Sequence, residues 1–137
     1  MSSRLNPYLN FDGTARQALE TYREIFGGTL TISTFGESGA PDGLDPDGVM
    51  HGLLETASGA VLMASDVPPG APPSHGGSIT LCLNGDDGDT LRAWFARLAE
   101  GGSVSVPLER QMWGDEFGQC EDRFGIGWMV NIGAEPA

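Results

Sequence analysis

His51 and Glu55 are the residues of this chain best placed to move a proton near neutral pH. They stand four apart in VMHGLLE, residues 49–55. Histidine titrates close to neutrality, and a carboxylate can orient it or balance its charge. In an extended strand, positions four apart share a face, although about 13 Å of backbone lies between them. The same histidine has a structural reading, as a hydrogen-bonded side chain on a half-buried strand. Ser65 and Asp66, which end AVLMASD, form a second candidate: they reach the rim of a binding surface, or Asp66 caps the turn into VPPG. The third is QMWGDEFG, residues 111–118, where Trp113 stands beside Gly114 and the carboxylate of Asp115. A flat apolar ring next to a hinge and a charge suits a flap over a ligand, and equally suits an aromatic that closes a core or a subunit seam. The chain has no GxSxG, Walker loop, HExxH or GxGxxG.

The elements that must position these residues fall into two halves. Four prolines and three glycines in SDVPPGAPPSHGG, residues 65–77, forbid a regular element and mark a connector. Each half opens with an alternating run. In RLNPYLNF, Pro7, Leu9 and Phe11 oppose Asn6, Tyr8 and Asn10; in SITLCLN, Ile79, Leu81 and Leu83 oppose Ser78, Thr80, Cys82 and Asn84. A helix follows in each. TARQALETYREIFGG places Ala15, Ala18, Leu19, Tyr22, Ile25 and Phe26 on one stripe, with Thr14 and Gln17 at capping-box spacing. DTLRAWFARLAEGG places Leu91, Trp94, Phe95, Leu98 and Ala99 likewise, which makes the two aromatics core residues. Three strand-like runs complete each half: TLTISTF, VMHGLLET and AVLMASD, then SVSVPLE, FGQCED and GWMVNI, with Trp128 on the helix-facing side. The order is β-α-β-β-β, twice. GLLETASGAVLM at 52–63 and GQCEDRFGIGWM at 118–129 repeat one spacing, with a glycine followed by Glu at three, Gly at seven and Met at eleven. This is the last hairpin of a duplicated module, turning at Gly59 and Gly125.

The 137 residues, 39% hydrophobic and 19% charged, suit a single globular domain: module one at 4–66, connector at 67–77, module two at 78–133. Nineteen acidic residues against seven basic give −12, which argues against a nucleic-acid partner. That charge serves solubility or attracts a cationic ligand. No apolar run approaches the ~20 residues of a membrane span, and MSSRLNPYLNF has no signal-peptide pattern, so a cytoplasmic protein is expected. Cys82 and Cys120 lack metal-ligand spacing and are expected to be reduced, packed thiols.

The stretches PYLNFDGTARQALETYREIFGG, VMHGLLE, LMASD, WGDEFG, DRFG and WMVN, taken in order, resemble the glyoxalase, bleomycin-resistance and extradiol-dioxygenase superfamily, closest to its PhnB-like branch. The resemblance implies an α+β fold in which two βαβββ modules form curved mixed sheets around a cup, with helices on the outer faces and a homodimer as the usual assembly. If the strands keep their alternation, Asn6, Tyr8, Asn10, Ser78, Thr80 and Asn84 face that cup, while Leu9, Phe11, Ile79, Leu81 and Leu83 pack beneath the helices. Metal-using members bind a divalent ion from the first and last strands of each module, and those positions fall here on Asn6 (or Pro7), Met63, Ser78 and Met129. Such donors do not suit Mn²⁺, Mg²⁺, Ni²⁺ or Zn²⁺. The expected protein therefore binds a small organic molecule in the cup without metal or other cofactor. Ligand contacts would come from Asn6, Tyr8, Asn10, Ser65, Asp66, Ser78, Thr80, Trp113 and Asp115, with His51 and Glu55 as catalytic candidates. Two alternatives stand beside it: a metal-dependent lyase, isomerase or dioxygenase drawing on His51, Glu55, Glu121 or Asp66, and a bleomycin-resistance-type protein whose negative charge attracts a basic drug.

Overall fold

The computed structural model describes residues 5–37, 39, 45–67 and 79–133. The chain divides into two compact units, residues 1–74 and 75–137. The first runs β1 (Tyr8–Phe11), α1 (Ala15–Phe26), β2 (Thr29–Thr34), β3 (Val49–Glu55) and β4 (Val61–Asp66). The second runs β5 (Leu81–Gly85), α2 (Gly88–Ala99), β6 (Ser103–Arg110), β7 (Glu116–Glu121) and β8 (Gly127–Ile132). The fold is α+β, built from two βαβββ modules. Each has a mixed four-stranded sheet, ordered β1-β4-β3-β2 or β5-β8-β7-β6, in which the first and last strands of the module pair in parallel.

The duplication holds residue by residue. Tyr8 pairs with Met63 and Leu53 pairs with Met63; in the second sheet Cys82 and Gln119 both pair with Met129. The hairpin turns repeat the same bonds. Thr56 N donates to Ala60 O at 2.8 Å and Gly59 N to Thr56 O at 3.0 Å, while Asp122 N donates to Ile126 O at 2.9 Å and Gly125 N to Asp122 O at 3.0 Å. Gly59 and Gly125 have φ of +97° and +91°, which an L side chain rarely adopts.

Amphipathic helices supply the cores. Ala15, Ala18, Leu19, Tyr22 and Phe26 of α1 are buried with Phe11, Leu54, Leu62 and Ala64 of its sheet. Each large apolar side chain so buried is worth about 1.5–3 kcal/mol. In the second unit Leu91, Phe95 and Leu98 are buried with Cys120, Trp128 and Val130, while Trp94 is only half-buried. Trp128 lies in this core as expected, and its indole Nε1 donates to Asp122 Oδ2 at 2.8 Å. Burial pushes the Cys120 thiol up to about 11, so it stays protonated and unreactive.

Four expectations need correction. The opening strands are shorter than the alternation suggested, starting at Tyr8 and at Leu81. Ile79 precedes β5 and is 80% exposed, so it does not lie beneath a helix. Cys82 is exposed rather than packed, because it sits on the face of β5 opposite Leu81 and Leu83. Thr14, at the N-cap of α1, makes no side-chain capping bond. The cap comes instead from the far end of the module. Asp66 Oδ1 accepts from Ala15 N and Oδ2 from Val49 N, both at 2.9 Å. This carboxylate is 8% exposed and ties the end of β4 to the starts of α1 and β3. Module two has Ile132 at the matching register position, and α2 relies on a local cap in which Asp87 Oδ1 accepts from Thr90 N at 3.3 Å.

Replacing Asp66 with Asn turns one acceptor into a donor that faces a backbone N–H. Urea unfolding of Asp66→Asn should show a loss of about 2–3 kcal/mol. Asp12→Asn, at an exposed position, should stay within about 0.5 kcal/mol of the parent.

Candidate ligand-binding faces

Side chains alternate across each sheet, so one face meets the helix and the other is left open. The shared register makes the two open faces equivalent position by position. Tyr8 matches Cys82, Asn10 matches Asn84, His51 matches Phe117, Leu53 matches Gln119, Met63 matches Met129 and Ser65 matches Asn131.

On module one, His51 meets Tyr8. The phenol oxygen lies 3.5 Å from His51 Nδ1, and the rings are 5.9 Å apart with a 30° tilt. Tyr8 is 48% exposed, while the half-buried His51 is screened on one side by that ring. Glu55 shares the face but is exposed at the other end of β3, opposite Val61. The structure therefore brings His51 together with Tyr8 and not with Glu55. Ser65 is half-buried on the open face opposite Asn10. Asp66 points the other way, with both oxygens committed to backbone N–H groups. Asn6 is half-buried, two residues before Tyr8.

On module two, the loop between β6 and β7 is closed by Gln111 N donating to Asp115 O at 2.7 Å and Gly114 N donating to Gln111 O at 3.0 Å. Gly114, with φ of +101°, permits this turn. The loop carries Trp113, which is 60% exposed, onto Phe117, edge to face at 6.3 Å. Asn131 Nδ2 donates to Asp115 Oδ2 at 3.0 Å, fixing the carboxylate beside those rings. Phe117 and Asn131 are register partners, so these four side chains form one cluster. Thr80 is half-buried against Gly127, Glu121 is exposed, and Ser78 lies outside the described residues. Phe117 and Asn131 were missed as site residues. Their alternation signals were present, two positions after Asp115 and two after Met129.

The metal positions implied by the family resemblance do not make a matched pair of sites. Asn6 stands two residues before the partner of Met63, and the residue two before the partner of Met129 is Thr80, not Ser78. Amide, hydroxyl and thioether are poor donors for hard divalent ions. No group of three His, Cys, Asp or Glu side chains able to hold a metal occurs among the described residues. The residues present do not fit a divalent ion of the usual kind.

These features define the class of protein. The chain belongs to the Glyoxalase/Bleomycin resistance protein/Dioxygenase superfamily, whose family profile matches residues 4–130. Among its relatives is the protein YjdN of Escherichia coli K12, 30% identical over 139 residues and spanning 93% of this chain and 94% of that one. A solved structure, protein PA1353 of Pseudomonas aeruginosa, is 40% identical with a TM-score of 0.87, covering 98% of this chain and 100% of that one. A PhnB protein from Bacillus cereus shares the fold at 22% identity and a TM-score of 0.80, covering 96% and 100%.

Across the second sheet from the cluster, Glu116 anchors α2. Arg92 Nη2 lies 2.7 Å from Glu116 Oε1, and Nε 3.0 Å from Oε2. This two-bonded guanidinium holds the Glu116 carboxyl below the usual glutamate range and raises Arg92. A lowered carboxylate adds stability that is present above its unfolded value and lost as pH falls through the folded one. Thermal unfolding across the acid limb should therefore show a smaller drop in Tm for Glu116→Gln than for the parent, and the two curves should differ most at neutral pH.

Proposed function

We propose that this protein binds a small organic molecule on the open faces of its sheets and does so without a divalent metal. The observation that carries the reading is the matched pair Met63 and Met129. The last strand of each module presents a thioether at the position where the family resemblance implies a metal ligand, and a thioether is a poor donor for a hard ion. Around it stand amides, hydroxyls and aromatic rings: Asn10, Ser65 and Tyr8 in one module, Asn84, Asn131 and Phe117 in the other. Such surfaces suit recognition by stacking and hydrogen bonding. The metal-dependent alternative loses support from the geometry, since Asp66 is engaged on the helix side and His51 and Glu55 sit at opposite ends of β3. The superfamily relationship supports a ligand-binding fold, while the ligand is named by chemistry rather than by kinship.

After exhaustive dialysis against EDTA, a thermal-shift screen of small amines, acids and aromatic amides should yield at least one saturable stabiliser. Its affinity should change by less than twofold when Mn²⁺, Ni²⁺ or Zn²⁺ is restored. Binding that vanishes on chelation and returns with one of these ions would refute the proposal.

A further inference from the structure

All seven basic side chains that are not histidine are arginine; the chain contains no lysine. The six described ones are distributed in a particular way. Arg16 and Arg23 lie on α1, Arg92 and Arg97 on α2. Arg110 is the register partner of Glu116, which Arg92 of α2 holds. Arg123 stands against Gly101, just past the end of α2. Every described arginine is thus on or beside a helix, and the open face of module two carries no basic residue among those described.

Three carboxylates of module two are placed differently. Glu109 pairs with Phe117, Glu121 with Gly127, and Asp115 is bonded to Asn131, so all three lie on or at the edge of that open face. Asp115 is the one whose orientation is fixed. Asn131 holds Oδ2 at 3.0 Å, and Gly133 lies beside the carboxylate, where a Cβ would stand in ordinary contact at 3.6 and 3.7 Å from Oδ2 and Oδ1. No basic side chain among the described residues pairs with Asp115. Next to it is an exposed indole braced edge-on by Phe117. Indole and phenyl faces are negative and attract cations, most strongly when the charge is partly desolvated. An Asn amide orients a carboxylate without neutralising it.

We infer that Trp113, Phe117 and Asp115 form a subsite for an organic cation, an ammonium group carried on a small apolar or aromatic body. The body lies on the indole and phenyl rings, and the ammonium group donates to Asp115 Oδ1, which accepts no hydrogen bond among the described residues. The overall charge of −12 favours the approach of such a ligand, and no described arginine stands on that face to oppose it. The inference rests on the small-molecule reading above and names the chemical class of its ligand.

The test is ¹H–¹⁵N NMR of the full chain at low salt and pH 7, following the Trp113 indole and the Asn131 side-chain amide. The probes are phenethylammonium, the neutral phenethyl alcohol and the anionic 3-phenylpropionate. Phenethylammonium should give saturable shifts with at least tenfold higher affinity than the alcohol, and 3-phenylpropionate should give none. Asp115→Asn should bring phenethylammonium to within twofold of the alcohol, and Trp113→Ala should weaken it at least fivefold. Equal affinity for ammonium and alcohol in the parent protein, which needs no variant to fold, overturns the inference, as does the absence of shifts with every probe. Discovery of a tight neutral or anionic ligand that survives chelation would overturn it and leave metal-free binding standing. A chelator-sensitive ligand would instead refute metal-free binding without touching the cation preference at Trp113.

Discussion

A β-α-β-β-β module must fix the start of its helix relative to a sheet whose strands come from distant parts of the chain, and in module one a single buried carboxylate does this. Asp66 joins Ala15, the first residue of α1, to Val49, the first residue of β3, from the end of β4. Leaving either N–H without an acceptor would carry the full desolvation cost of a buried polar group. With the helix held there, Leu19 and Tyr22 pack on the sheet face formed by Gly52, Leu54 and Ala64, and the alternation of the strands then sets which side chains occupy the other face. Tyr8, His51 and Met63 fall on the face turned away from α1.

Module two reaches the same arrangement by other means. Ile132 replaces the capping carboxylate and adds to the core, Asp87 caps α2 locally, and Arg92 clasps Glu116 across the helix–sheet contact. The buried aspartate has moved to the hairpin, where Asp122 accepts from Phe124 N, Ile126 N and the Trp128 indole. The duplicated backbone tolerates this because register, not any one polar contact, specifies which residues face outward. Divergence of the two open faces follows: a Tyr–His pair on one, and an Asp–Asn pair with two aromatic rings on the other.

Most of the fold was legible in the sequence. Period-two and helical spacings, the glycine stops and the repeated Gly-Glu-Gly-Met spacing gave ten elements in the observed order, with errors concentrated at the opening strands, where Pro7 and the connector blur the boundary. The cap on α1 was not legible, since Thr14 and Gln17 satisfy a local rule while the acceptor in use is 51 residues away from Ala15. The candidate faces were half legible. Alternation placed Tyr8 with Asn10 on one side of the first strand and His51 with Glu55 on one side of another, but pairing across strands decides who touches whom, and this is what joined His51 to Tyr8 instead of Glu55. Asn131 went unnoticed because an asparagine in a strand carries no chemical signal until a carboxylate is found beside it.

On the proposed function, the open faces of the sheets take an organic ligand and not a hard ion. Native mass spectrometry of protein purified gently, with no chelator at any step, tests this most directly. Chains carrying no divalent ion, bare or with an organic adduct, are the predicted result. One Mn²⁺, Ni²⁺ or Zn²⁺ per chain, retained at stoichiometry, would contradict it.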